Sequence, residues 1–124
     1  MRTAVSIAVA GAAGALARYG FEGLIVRRAS GPFPWGTFVV NMTGAFLLGF
    51  VFTVLTERFA VPTWMRSAIT IGFLGAYTTF STLSFETFRL IEGGSYAFAM
   101  ANSLGSLAGG LLAVYAGIVL GRAV

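Results

Sequence analysis

The 124-residue chain contains no cysteine, no histidine and no lysine, and its four acidic residues are all glutamates. Without cysteine there is no disulfide framework and no thiol chemistry. Without histidine the chain lacks the most common general base and the most common metal ligand. Its serine hydroxyls therefore have no histidine or lysine base to activate them as nucleophiles. These absences predict that the chain is not an enzyme.

Charged residues are also scarce, at 10% of the chain, whereas hydrophobic residues make up 57%. Both values lie well outside the average for soluble domains. The net charge of +4 comes from eight arginines, but most of these lie at the ends of apolar segments, where basic residues anchor helices to lipid headgroups. No basic face remains for a phosphate backbone, so we expect no nucleic-acid partner. The composition predicts an integral membrane protein in contact with membrane lipid.

Four apolar segments are each close to the roughly 20 residues that cross a bilayer as a helix. They predict a single all-α membrane domain over 1–124, with spans at about 3–26, 36–57, 66–90 and 95–121. Pro32, Pro34 and Pro62 fall between spans, where they end helices. The first segment also has an A-x-A-like site typical of signal peptides, Ala15-Leu16-Ala17. We favour a membrane span, because glycines interrupt the apolar run.

The third span carries the most unusual stretch, from Gly75 to Glu86, which holds several hydroxyl residues and a carboxylate. Polar side chains at bilayer depth raise the energy unless they face protein or water, so we expect this stretch to line a polar path. Gly72 and Gly75, followed by Thr78 and Thr79, are poor helix formers and predict a break near mid-span. A broken helix survives in a membrane only where protein, ions or a polar cavity satisfy its freed backbone groups. The pattern therefore predicts that the chain binds or passes an ion.

The other spans contribute polar groups of their own. Asn41 lies in the second span, and its amide offers hydrogen-bond donors and an acceptor. Asn102 and Ser106 are four residues apart in the fourth span, so they can share one pathway face. Arg18 and Glu22 share a face near the end of the first span. Arg18 is either half of an interfacial pair with Glu22 or part of a positive vestibule that concentrates anions.

The arginines are divided almost equally between the two ends of the spans. One end holds Arg2, Arg58, Arg66 and Arg122, and the other holds Arg27, Arg28 and Arg89, with Arg18 if its side chain reaches out. The positive-inside rule therefore has little asymmetry to act on. A chain that inserts in both orientations can pair with its inverted copy, so we expect an antiparallel, two-fold dimer.

Three motifs follow one another in the first three spans. They are Gly14-Ala-Leu-Ala-Arg18-Tyr19, then Gly36-Thr37 leading into Val40-Asn41, then Gly72-Phe-Leu-Gly75 followed by Thr78-Thr79-Phe80-Ser81-Thr82 and Glu86. In this combination the chain resembles the Fluc (CrcB) family of bacterial fluoride channels over nearly its whole length. The resemblance implies a dual-topology dimer in the bacterial inner membrane that exports fluoride passively and keeps cytoplasmic fluoride low.

The resemblance also implies roles for individual residues. Backbone carbonyls of Gly75 and Thr78 are expected to hold a structural sodium ion at the dimer centre. The fluoride pathway is expected to contain Asn41, Phe80, Ser81, Thr82, Leu83, Asn102 and Ser106, with Arg18 in the vestibule and Glu86 at the pore mouth. An ionised carboxylate repels an anion, so we expect Glu86 to be hydrogen-bonded, protonated or turned aside.

Two positions depart from the family pattern. Leu83 stands where the family usually has a second phenylalanine, so a ring edge that can face an anion is missing. Asn102 stands in place of a tyrosine in the fourth span. These departures are compatible with lower conductance, with a different ion preference, or with a partner subunit that supplies the missing ring. The partner is then either an identical copy or a paralogue in a heterodimer.

Two rival functions fit parts of the sequence. A small multidrug-type exporter, which couples protons to cationic compounds, also has four spans. It needs a carboxylate in the middle of the first span, whereas Glu22 lies near the end. An assembly subunit without transport would need only the GxxxG pair of Gly105 and Gly109, which leaves the hydroxyl-rich stretch unexplained.

Overall fold

Four long helices make up the molecule, which is described over all 124 residues by a computed structural model. The helices long and apolar enough to cross a membrane are Arg2–Arg28, Trp35–Arg58, Thr63–Glu92 and Tyr96–Ala123. Their bounds lie within a few residues of the predicted spans. The prediction of an all-α chain is confirmed, with four helices that are able to cross a membrane.

The second and third spans are less regular than the first and fourth. The first and fourth spans are single helices, α1 (Arg2–Arg28) and α6 (Tyr96–Ala123). The second span is α2 (Trp35–Thr53), which continues as a π-helical turn over Val54–Arg58. The third span comprises α3 (Thr63–Ser67), a π-helix over Ala68–Leu74, α4 (Gly75–Tyr77) and α5 (Phe80–Glu92).

Glycines set the closest approaches between the helices. A Cβ atom on Gly14 of α1 would collide with the carbonyl of Phe73 in the third span, and one on Gly117 of α6 would collide with the carbonyl of Phe46 in α2. Membrane helices pack through such small residues because lipid provides little hydrophobic drive for association. The bundle is therefore held by close backbone contact in two pairs, α1 with the third span and α2 with α6.

The predicted GxxxG pair contributes unequally to this packing. A Cβ atom on Gly109 would lie 2.8 Å from the Met42 sulfur, whereas one on Gly105 would lie 3.9 Å from the Phe38 ring. The tighter backbone contact of α6 with α2 occurs further along, at Gly117. Helix packing is thus the role of Gly109, but the closest contact falls outside the motif.

The third span is interrupted near its middle, which confirms part of the prediction of a broken helix. Thr78 (φ −85°, ψ 158°) and Thr79 (φ −149°, ψ 117°) adopt extended conformations between α4 and α5. The Thr79 side chain then caps α5 by accepting a hydrogen bond from the Thr82 amide at 3.2 Å. A threonine cap satisfies one of the free amides at a helix start, so the chain leaves the helix for two residues and restarts it.

Contacts at one end of the bundle join the N terminus, the loop after the second span and the C terminus. The Arg2 guanidinium lies 4.1 Å above the Trp64 ring. Arg122 forms an ion pair with Glu57 at 3.4 Å, and Arg58 donates to the Arg122 carbonyl at 2.9 Å. These three arginines therefore lie at the same end of the bundle, as the order of the spans predicts.

Candidate ion pathway

An open groove of about 820 Å³ runs beside the break, between α2, the third span and α6. Its walls combine apolar side chains with hydroxyl groups and one amide. The residues with predicted roles that line it are Asn41, Gly75, Thr78, Phe80, Leu83 and Ser106. Residues from three spans, separated in the sequence, therefore meet along one groove.

Helical spacing places the polar groups of α5 on two adjoining stripes, and these stripes have different surroundings. Phe80, Leu83 and Thr87 belong to the stripe that lines the groove. Ser81 and Thr82 belong to the other stripe and do not line it. Their hydroxyls gather around Thr79 Oγ1, at 3.4 Å and 3.0 Å respectively. The two hydroxyls expected to continue the pathway thus lie beside the break, outside the groove wall.

Asn41 holds the break in place from α2. Its Oδ1 accepts a hydrogen bond from the Thr79 amide at 2.8 Å, and its Nδ2 donates to the Thr79 carbonyl at 3.0 Å. One side chain therefore satisfies both backbone groups of an extended residue, which would otherwise cost several kcal/mol in a membrane. The second hydrogen of Nδ2 has no partner within the chain.

At the break, the backbone carbonyls of Gly75 and Thr78 do not receive the amide hydrogen bonds that a continuous helix would give them. The Thr79 amide, which in a continuous helix would donate to Gly75, donates to Asn41. The Thr82 amide donates to the Thr79 side chain, and the Thr78 carbonyl receives no hydrogen bond within the chain. Gly75 and Thr78 both line the groove. Oxygen donors of the kind that hard cations prefer therefore lie at its wall.

A hydroxyl on α2 lies between two carboxylates. Thr37 is buried, and its Oγ1 is 2.8 Å from Glu86 Oε1 and 3.3 Å from Glu22 Oε1. A hydroxyl has a single hydrogen to donate, so the shorter contact, with Glu86, is the stronger hydrogen bond, and the longer one, with Glu22, shares the same hydrogen. Of the three arrangements expected for Glu86, the structure therefore contains the hydrogen-bonded one.

Arg18 does not pair with Glu22, although both lie on α1. The chain has two ion pairs, Arg89–Glu92 and Arg122–Glu57. The Glu22 carboxylate instead approaches Thr37. Arg18 is half-buried and free of an acidic partner, so the interfacial pair is not formed and the vestibule role remains a prediction.

Asn102 lies behind the groove and does not line it. It is fully buried, and its Nδ2 donates to Thr87 Oγ1 at 3.0 Å. Thr87 in turn donates to the Leu83 carbonyl at 2.8 Å. Ser106 does line the groove, and its buried hydroxyl has no partner. The two residues of α6 that were expected to share a pathway face therefore differ, because packing against α5 places Asn102 behind Thr87.

Three threonines complete these contacts although none of them was predicted to belong to the ion pathway. Thr37 lies one helical turn before Asn41, and Thr87 lies one turn after Leu83. Side chains four residues apart share a helix face, so this spacing was the available signal for both. Thr79 gave no such signal, since its bonds to Asn41 depend on the extended backbone at the break.

The fold and the groove define a small multi-pass membrane protein with polar groups gathered at a helix break inside the membrane. The model of the family described as CrcB-like protein, Camphor Resistance (CrcB), matches residues 5–118. The chain belongs to this family, which confirms the resemblance seen in its motifs.

Curated relatives extend over the whole chain. A protein named fluoride-specific ion channel FluC from Geobacter sp. (strain M21) is 47% identical over 123 residues, 99% of either chain. One with the same name from Citrifermentans bemidjiense is 46% identical over 123 residues, again 99% of either chain. Fluoride-specific ion channel FluC 2 from Geobacillus kaustophilus is 46% identical over 113 residues, 91% of this chain and 88% of that protein. The family is thus one of ion channels, which confirms that the chain is not an enzyme.

Proposed function

We propose that this protein is a fluoride channel that exports fluoride passively across the bacterial inner membrane and keeps cytoplasmic fluoride low. Two lines of support converge on this function. Relatives that cover the whole chain are named fluoride-specific ion channels. The observation that carries most weight in the structure is the meeting of Asn41, Phe80 and Ser106 along one groove beside the helix break.

Fluoride is small and strongly hydrated, so a pore must replace its water donors without holding the ion too tightly. The free Nδ2 hydrogen of Asn41 and the unpartnered hydroxyl of Ser106 are donors of this kind. The edge of the Phe80 ring adds partial positive charge. The hydroxyls of Ser81 and Thr82 lie outside the groove wall, and in this proposal they extend the path beside the break. A dry, narrow path excludes the larger chloride ion by size.

The groups at the mouths of the path set its electrostatics. Arg18 attracts anions into the vestibule, since it has no acidic partner. Glu86 stands at a mouth of the proposed path, and its hydrogen bond to Thr37 draws the carboxyl toward α2. The Thr37 hydroxyl reduces the repulsion that a free carboxylate would exert on fluoride.

The first test is ion flux from liposomes. Liposomes that hold the purified protein and are loaded with fluoride or with chloride are expected to release fluoride and to retain chloride, with protein-free liposomes as the control. A fluoride-sensitive electrode measures the first and a chloride electrode the second. Similar rates for both ions, or no fluoride release, would contradict the proposal. Proton-coupled uptake of a fluorescent cation in the same liposomes would instead favour the multidrug-type exporter.

An antiparallel dimer completes the pathway in this proposal. The groove is open along its length, and the Phe80 side chain is 82% exposed, so one chain does not enclose a path. An inverted second copy covers the groove and brings its own Phe80 ring near the gap left by Leu83. A paralogue is the alternative partner; one relative carries the name FluC 2.

Dual topology is testable because the chain has no cysteine of its own. Single cysteines introduced as Ser30→Cys and Ala123→Cys lie at opposite ends of the bundle. With mixed insertion, about half of each variant is expected to react with a membrane-impermeant maleimide in spheroplasts, because neither end has a charge bias. Complete reaction of one variant and none of the other would contradict mixed insertion.

A structural sodium ion at the dimer centre is the second part of the proposal. The Gly75 and Thr78 carbonyls of both copies supply its ligands, and the loss of their helical donors supports this role. The positive charge of the sodium ion takes the place of the hydrogen-bond donors that these carbonyl oxygens have lost. The same flux assay applies: protein purified with N-methylglucamine in place of sodium is expected to lose flux and to regain it on sodium addition. Equal flux without sodium would contradict the sodium site.

A further inference from the structure

Two hydroxyl side chains, from different helices, line the groove beyond Asn41. Thr87 projects from α5 and Ser106 from α6. Ser106 is 7% exposed, and its Oγ has no hydrogen-bond partner. Buried hydroxyls in folded proteins are normally partnered. The Ser106 hydroxyl therefore carries a hydrogen that no group of the chain accepts.

Thr87 is held in place by contacts on its other side. Its Oγ1 accepts a hydrogen bond from Asn102 Nδ2 at 3.0 Å. Its hydrogen points to the Leu83 carbonyl at 2.8 Å, the ordinary back-bond of a threonine within a helix. Rotation about the C–O bond turns this hydrogen from the carbonyl into the groove, while Asn102 continues to donate to the oxygen. A hydroxyl whose oxygen accepts a hydrogen bond is itself a stronger donor.

We infer that Thr87 and Ser106 form a two-hydroxyl subsite for fluoride, and that Asn102 acts as a positioning residue that orients and polarises Thr87. This inference rests on the proposed fluoride conduction. Asn102 is fully buried outside the groove wall, so it acts on the ion through the Thr87 hydroxyl. The inference adds Thr87 to the pathway and replaces direct contact by Asn102 with an indirect one.

The substitution Thr87→Val keeps the shape of the side chain and removes the hydroxyl. Fluoride flux is expected to fall about tenfold or more, the effect of losing a hydrogen bond to a charged group. Thr87→Ser retains the hydroxyl and is expected to restore flux to near the parent rate. Thr56→Val is the matched control, since Thr56 makes the same back-bond, to the Phe52 carbonyl at 2.7 Å, outside the groove. Gel filtration verifies folding, and Thr87→Ala serves if the valine variant does not fold.

The role of Asn102 is tested by a double-mutant cycle with Asn102→Leu. If Asn102 acts through Thr87, Asn102→Leu lowers flux in the parent but adds no further loss to Thr87→Val. Losses that multiply would mean that Asn102 acts independently of Thr87 and would overturn its positioning role. Parent-like flux in Thr87→Val would overturn the subsite itself. Absence of fluoride flux in the unsubstituted protein would instead contradict the proposed function.

Discussion

Replacing Asn41 by aspartate is expected to abolish fluoride flux. Aspartate has no hydrogen to donate to the Thr79 carbonyl, which lies 3.0 Å from Nδ2 in the native chain. Leaving that carbonyl unsatisfied costs about 1–3 kcal/mol. The new negative charge also repels fluoride by about 4 kcal/mol at 4 Å in a medium of intermediate dielectric constant. The two effects together place the rate below detection in the liposome assay.

The variant Asn41→Leu separates the two causes. Leucine removes both hydrogen bonds to Thr79 and adds no charge. If it is as inactive as Asn41→Asp, loss of the amide, both as support of the break and as a donor to fluoride, is enough to explain the effect. Residual flux in Asn41→Leu assigns the remaining loss in Asn41→Asp to charge. Parent-like flux in Asn41→Asp would remove Asn41 from the pathway.

Gly14→Ala is expected to destabilise the fold strongly. The added Cβ would collide with the backbone carbonyl of Phe73, which cannot rotate away as a side chain can. Overpacking of this kind costs about 1–3 kcal/mol, occasionally more, and a backbone obstacle favours the upper end. The contact also fixes α1 against the π-helix that precedes the break, so fluoride flux is expected to fall as well. Thermal unfolding in detergent and the monodisperse fraction on gel filtration measure the effect.

Gly11→Ala is the control on the same helix. Its Cβ would lie 3.7 Å from the Gly72 carbonyl oxygen, an ordinary van der Waals contact. Alanine favours a helix over glycine by about 1 kcal/mol, so this variant is expected to be at least as stable as the parent. Equal destabilisation by both substitutions would mean that the contact with Phe73 does not limit the packing of α1.

The position of the break in the third span could be predicted from neighbouring residues alone. Gly75, Thr78 and Thr79 are poor helix formers in series, and that property of the chain placed the interruption correctly. Local sequence could not predict which of the two polar stripes of α5 lines the groove. Thr82 on one stripe and Thr87 on the other carry the same hydroxyl group. Their surroundings differ since α2 and α6 pack against different faces of α5.

For Asn41 and Asn102, the sequence predicted a polar group in the membrane but not the contacts that each one makes. Their spacing in the spans identified both as polar groups inside the membrane. Only the tertiary structure pairs Asn41 with the Thr79 backbone and places Asn102 behind Thr87. These contacts join residues 38 and 15 positions apart, and no periodicity within one helix specifies the rotation of another.

Hydropathy and helix propensity act over neighbouring residues, so the four membrane segments and the interruption of the third can be predicted from the amino-acid sequence alone. The glycine contacts decide which helices approach closely, and that approach decides which polar groups reach the groove. Those choices depend on packing between segments distant in the chain, so only the tertiary structure made them.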